Sequence, residues 1–120
     1  MRRNGKNLTG METIRHCDIE KDLKTLKRFS APRESLEAWE RLFCLKGISE
    51  TPGIEQCLGF GSFKIYKARV VPLKENVGKS QGYRLIFNLL ENDVCEILAF
   101  SRHGIYKTEQ ELLRLIRIRL

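Results

Sequence analysis

Several kinds of residue are scarce in this chain of 120 residues. It has three prolines, two histidines and one tryptophan. Its four cysteines, Cys17, Cys44, Cys57 and Cys95, stand far apart. No CxxC occurs, and His16 beside Cys17 cannot make a zinc site alone, so no metal is expected. No apolar run approaches the roughly 20 residues needed to cross a bilayer. No apolar segment follows the basic start, so no secretory signal is expected. Reduced thiols in the cytoplasm are the expectation. Internal repeats and low-complexity tracts are missing as well. The segment GKSQG at Gly78–Gly82 looks superficially like a phosphate loop, but the preceding residues and helix start of that motif are absent. Nucleotide binding is therefore excluded, and no cofactor is expected.

Positive charge is plentiful. The formal net charge is +7. Residues 1–59 hold 11 basic and 9 acidic residues, whereas residues 60–120 hold 11 and 6. A basic domain suits a polyanion: nucleic acid, an acidic protein or a membrane surface. The alternative is a charge that only maintains solubility.

The basic half also carries three apolar, β-rich runs. In Phe63–Val71 the alternation places Phe63, Ile65, Lys67, Arg69 and Val71 on one face, with Lys64, Tyr66, Ala68 and Val70 on the other. In Tyr83–Leu90, Arg84, Ile86 and Asn88 oppose Tyr83, Leu85 and Phe87. The third run, Val94–Ser101, is followed by Arg102, His103 and Tyr106. Pairing as a meander brings Lys67, Arg69 and Arg84 together on one face. Arg102, His103 and Tyr106 are then expected beyond the end of the last strand.

Before these runs, Thr13–Cys17 reads as a short strand. Asp18 can cap a helix reaching about Arg28, with Ile19, Leu23 and Leu26 as its buried stripe. Ser30-Ala31-Pro32 starts a second helix, which should stop at Gly47; Leu36, Trp39 and Phe43 share one of its faces. Ile48–Gly61 reads as a loop. Thr108 and Glu111 form a capping box for a last helix to Leu120, with Leu112 or Leu113, Ile116 and Leu120 on its apolar side. Residues 1–12 read as a flexible tail and 13–120 as one domain. The order is β–α–α–β–β–β–α, an α+β domain with a small antiparallel sheet packed on an N-terminal helical hairpin, and a C-terminal helix. The second face of the sheet is expected to be free and positively charged.

Three segments carry a family resemblance: DIEKDLKTLKR at Asp18–Arg28, IYKARV at Ile65–Val70, and GKSQGYRLIF at Gly78–Phe87. In their order and spacing the chain resembles the RelE-like toxins of bacterial type II toxin–antitoxin systems, within the RelE/ParE superfamily. The resemblance spans most of Asp18–Tyr106. It implies a small sheet with a helical hairpin on one side. It implies a metal-independent endoribonuclease that cleaves messenger RNA in the ribosomal A site, and a cognate antitoxin protein that holds it inactive. Contact with DNA would be indirect, through that antitoxin. By the same resemblance Lys67 and Arg69 match paired basic positions of a strand, and Arg84 matches the arginine of the family's GYR signature. The stretch Ser101–Tyr106 resembles the region that carries a late basic residue and a tyrosine.

The chemistry explains these residue types. RNA is cut without a metal when its own 2′-OH attacks the adjacent phosphate. A base must take the hydroxyl proton, a proton must reach the leaving 5′-oxygen, and cations must stabilise the anionic phosphorane. Arg84 is suited to bidentate phosphate binding. Lys67 can join it, and a lysine among arginines can have a lowered proton affinity. His103 can act as acid or base, and Tyr106 can stack on a base or assist proton transfer. Arg69, Arg102, Lys64 and Lys79 complete the expected RNA-binding surface. Structural alternatives stand beside each role: Arg84 paired with Glu91 or Glu96, His103 as a structural residue, Tyr106 packed under the last helix. Two other functions compete with the nuclease: a non-enzymatic ParE-like toxin that binds DNA gyrase, and a degenerate relative that binds nucleic acid without chemistry.

Overall fold

The computed structural model describes residues 11–74 and 82–120. The elements are β1 (Glu12–Arg15), α1 (Ile19–Thr25), α2 (Pro32–Glu50), β2 (Ile54–Cys57), β3 (Ile65–Val70), β4 (Tyr83–Leu89), β5 (Val94–Arg102) and α3 (Glu109–Arg119). They form an α+β fold with one five-stranded sheet in the order β1-β5-β4-β3-β2. The β3–β4–β5 meander matches the expected one. Two features of the sheet do not. β1 pairs parallel with β5, so the sheet is mixed. β2 adds an antiparallel edge strand inside the expected loop; it is short and polar in the middle, so alternation does not reveal it. β1 also begins inside the expected tail, and Met11 packs against the core.

One face of the sheet is closed by α1 and α2. Ile19, Leu23, Leu36, Trp39 and Phe43 bury against Leu85, Phe87 and Phe100. Trp39 stacks on Phe43 with centroids 4.7 Å apart, and Phe43 meets Phe87 at 5.1 Å. Phe43 is wholly buried, so truncating it to alanine removes about 3–5 kcal/mol. The helix starts differ from expectation. Asp18 makes no side-chain cap hydrogen bond, and neither does the residue that caps α2, Ala31, which lies in the left-handed region at φ 44°. Ser30 serves through its carbonyl instead, which accepts the Tyr83 hydroxyl at 2.8 Å. The stop expected at Gly47 is a kink instead: its φ is 74° and the helix resumes to Glu50.

The other face is not free. α3 lies on it, burying Leu112 and Ile116 with Ile65, Ile86, Ala99 and Tyr106. This overturns the expectation of an open charged face: α3 has an apolar stripe, and the hairpin side of the sheet is already filled.

β1 ends its pairing at Ile97, which leaves the outer edge of β5 unpaired beyond that point. Side chains continue the ladder. Asp22 accepts the Phe100 N–H at 2.9 Å. Arg119 donates to the Leu98 carbonyl at 2.8 Å and forks onto both Asp22 oxygens, each at 2.8 Å. Backbone groups that would otherwise be buried without partners are thereby satisfied, and the clasp ties α1, β5 and α3 together.

Candidate functional site

The site occupies one end of the sheet on the α3 face. Arg69 stands directly opposite Arg84 in the β3–β4 register, and Arg84 is opposite Ser101 in β5. One row inward, Lys67 lies between Ile86 on β4 and Glu55 on β2. Gly82 makes this placement possible. A Cβ there would lie 2.3 Å from the Val70 carbonyl oxygen, so only glycine lets β4 start this close to β3. Like charges opposite each other across a strand pair are destabilising. Arg69 is exposed, and its side chain has no ion pair among the described residues.

After β5 the chain reverses at Gly104, whose φ is 108°. The Ile105 N–H donates to the Arg102 carbonyl at 2.9 Å. His103 and Tyr106 form an isolated bridge, with rings edge to face at 5.8 Å. His103 stays exposed, whereas Tyr106 turns under the sheet and is 6% exposed. α3 then begins. The Thr108 side chain accepts from the Glu111 N–H at 3.2 Å, and the Glu111 carboxylate accepts from the Lys107 N–H at 2.8 Å. Capping thus occupies Thr108 and Glu111. Glu109 instead reaches Lys67, Nζ to Oε2 at 2.6 Å. Glu55 flanks the same amine at 3.5 Å.

These neighbours set the proton affinities. Burial opposes the charge on Lys67, but the Glu109 hydrogen bond and the charges of Glu109 and Glu55 outweigh it and raise its pKa above the usual lysine value. The expected lowering of its proton affinity is overturned, because carboxylates rather than arginines surround the amine. Burial raises the Tyr106 pKa; Arg84 and Lys67 pull it down and Glu109 pushes it up. Tyr106 therefore remains a phenol at neutral pH, and it senses the charges of Arg84, Lys67 and Glu109 together.

Of the residues expected at the site, Arg84, Arg69, Lys67, His103 and Tyr106 gather at this end. Arg102 does not. It is the last residue of β5, not beyond it, and pairs with Tyr83, whose side chain faces the helical hairpin. Its guanidinium lies 4.6 Å from the Phe29 ring centre and 5.1 Å from that of Tyr83, a cation–π sandwich. Lys64 is also misplaced: it lies five residues before Arg69, ~17 Å along the strand, beside Phe63 and Leu89 at the opposite end. Lys79 lies outside the described residues. Glu91 and Glu96 are not opposite Arg84; the register places Glu96 across from Asn88. Sequence reasoning missed Glu109 and Gly82. Thr108–Glu111 is legible as a cap, and it leaves the carboxylate between them without a capping role.

His16, Cys17 and Asp18 bring ligand-type atoms within 4.8 Å of one another, well apart in sequence from this cluster. The His16 Nδ1 already accepts the Asp18 N–H at 3.0 Å, and Arg119 Nε lies 3.7 Å from Asp18. A cation is disfavoured there. No helix among the described residues is long and apolar enough to cross a membrane.

No family model, curated protein or solved structure matches the chain. The arrangement itself offers two arginines at directly opposed strand positions, an ammonium held by carboxylates, a phenol that keeps its proton, and an exposed imidazole. Together these can bind a phosphodiester and transfer protons around it.

Proposed function

We propose that this protein is a RelE-like toxin endoribonuclease that cleaves messenger RNA, in the ribosomal A site, by attack of the 2′-OH on its own phosphate without a metal. The observation that carries the reading is the direct opposition of Arg69 and Arg84 on the face that also holds Lys67 and Tyr106. Two arginines at opposed positions can both donate to one bound anion. The three sequence segments that resemble the family add support, as do the net charge and the helical hairpin behind the sheet. In this reading Arg84 and Arg69 grip the scissile phosphate and stabilise the phosphorane. Lys67, paired with Glu109 and Glu55, fixes the carboxylates beside the phosphate, Tyr106 donates a hydrogen bond, and His103 exchanges protons. Cleavage forms the O2′–P bond and breaks the P–O5′ bond, leaving a 2′,3′-cyclic phosphate and a 5′-hydroxyl. A cognate antitoxin protein would restrain the toxin by covering the basic end.

The test is cleavage of a ribosome-bound message, and of the same RNA free, by wild type and Arg84→Ala in chelator. Cuts that require Arg84 and persist in chelator support the reading, and cuts confined to ribosomes place the substrate in the A site. Intact RNA with inhibition of DNA gyrase would instead favour a ParE-like docking surface. Intact RNA with binding alone would favour a degenerate relative.

A further inference from the structure

The site has an abundance of cations, yet the attack also needs something to take the 2′-OH proton. The groups facing this patch come from five parts of the chain: Glu55 and Cys57 on β2, Lys67 and Arg69 on β3, Arg84 on β4, His103 and Tyr106 after β5, and Glu109 on α3. Burial raises the Cys57 pKa, so its thiol keeps its proton. The arginines do not release protons in proteins. Lys67 is held as an ammonium between two carboxylates. Tyr106 is buried and keeps its phenolic proton. The remaining acceptors are Glu55, His103 and Glu109.

Glu55 belongs to the edge strand, on the far side of Lys67 from β4. His103 stands at the rim, beyond the last strand. Glu109 arrives from above the face, three residues after Tyr106, with one carboxylate oxygen fixed on Lys67 at 2.6 Å. Its side chain is 47% exposed, so it remains open to a ligand. It also has no part in the helix cap, which Thr108 and Glu111 form. A carboxylate held in place by a neighbouring hydrogen bond and open to substrate has the geometry of a positioned, ionised proton acceptor.

We infer that Glu109 is the general base of this site and that Lys67 orients it through their hydrogen bond. The inference rests on the nuclease reading above. The Glu109 carboxylate takes the proton from the 2′-OH as the O2′–P bond forms. Arg84 and Arg69 hold the phosphorane oxygens. The P–O5′ bond breaks as His103, in its protonated form, gives a proton to the 5′-oxygen. One proton is gained by Glu109 and one is lost by His103, so the step balances and both groups reset by exchange with water.

The experiment compares wild type, Glu109→Gln and Glu55→Gln on a ribosome-bound message and on the free RNA across acidic to alkaline pH. Binding is measured alongside, with an RNA carrying a 2′-deoxy nucleotide at the cut. The expected result is a fall in cleavage by about a hundredfold or more for Glu109→Gln. The acidic limb of its pH profile should vanish while binding of the deoxy RNA is kept. Glu55→Gln should retain the limb and most of the rate. Glu109→Gln cutting like wild type would overturn the inference and leave the nuclease reading intact. So would a loss of rate that retains the acidic limb or follows a loss of binding, since Glu109 would then act only by placing Lys67. Wild type that leaves both RNAs whole would overturn the nuclease reading and this inference together.

Discussion

Arg119 at the end of α3 and Arg84 on β4 both border the sheet, and their surroundings differ. Arg119 lies at the β5 edge, 6% exposed, forked onto Asp22 and bonded to the Leu98 carbonyl. Its hydrogen bond to Asp22 raises its pKa against the cost of burial. Arg84 lies at the end of the sheet, facing Arg69 across the strand pair. The first neighbourhood satisfies a charge and closes the fold. The second sets two arginines at opposed strand positions, a pairing unfavourable in itself, with Arg84 also donating to the Gly82 and Tyr83 carbonyls at 3.4 Å. Stability therefore accounts for Arg119, whereas the opposition of Arg69 and Arg84 fits the anion-binding role proposed for them.

The comparison breaks most readily with one substitution made in both places. Arg119→Met should cost about 3 kcal/mol, because it leaves the mostly buried Asp22 carboxylate with the Phe100 N–H but without its cation. In thermal melts this appears as a midpoint lowered by about 15 °C or more, with cleavage near wild type well below the melt. Arg84→Met should do the reverse. Cleavage should fall by about 10²–10³-fold, roughly 2.7–4 kcal/mol of transition-state stabilisation, with a midpoint close to wild type. If both variants simply melt early, the two neighbourhoods are not different in kind.

Alkaline melts sharpen the contrast between the two faces of the sheet. Cys95, in the hairpin-side core, has its pKa raised by burial from an ordinary value of 9.0. Tyr106, on the α3 side, is raised by burial from 10.0, and Lys67 is raised from 10.5 despite its burial. A group whose folded pKa is raised contributes fully below its unfolded pKa and loses that contribution as pH climbs. Stability should therefore hold from neutral pH to about 9 and then decline. Cys95→Ala should reduce the first part of the decline, which Cys44 and Cys57, also raised by burial from 9.0, share, and Tyr106→Phe should remove part of the later one. The smallest effect is expected at the far end of the sheet. Lys64→Ala should change cleavage by less than about twofold, because a screened surface charge this far away contributes little.

Much of the fold is legible in the sequence because period and punctuation are strong. The alternation of Ile65–Val70 and Tyr83–Leu89 sorts each residue onto its correct face, so Lys67, Arg69 and Arg84 fall together on pattern alone. The Trp39–Phe43 spacing marks the buried side of α2, and Thr108 with Glu111 marks the start of α3. What the pattern misses depends on partners remote in sequence. Ile54–Cys57 becomes a strand only because β3 lies beside it. Nearness in sequence to His103 groups Arg102 with the site, yet alternation along β5 sends it to the Phe29 side. Glu109 reads as one more acid in a first helical turn, and it gains its place beside Lys67 only because α3 crosses the second face of the sheet.

The clasp at the β5 edge has a consequence for the timing of assembly. Asp22 meets Phe100 and Arg119, which follow it by 78 and 97 positions. Chains emerge from synthesis with the N-terminal part first, and contacts between distant positions form late. An emerging chain that stops short of Arg119 can build its hairpin and strands, but the edge of β5 stays open. The same stretch delivers Tyr106 and Glu109 to the sheet. The segment that completes the fold is thus also the one that completes the candidate site, so an unfinished chain lacks both.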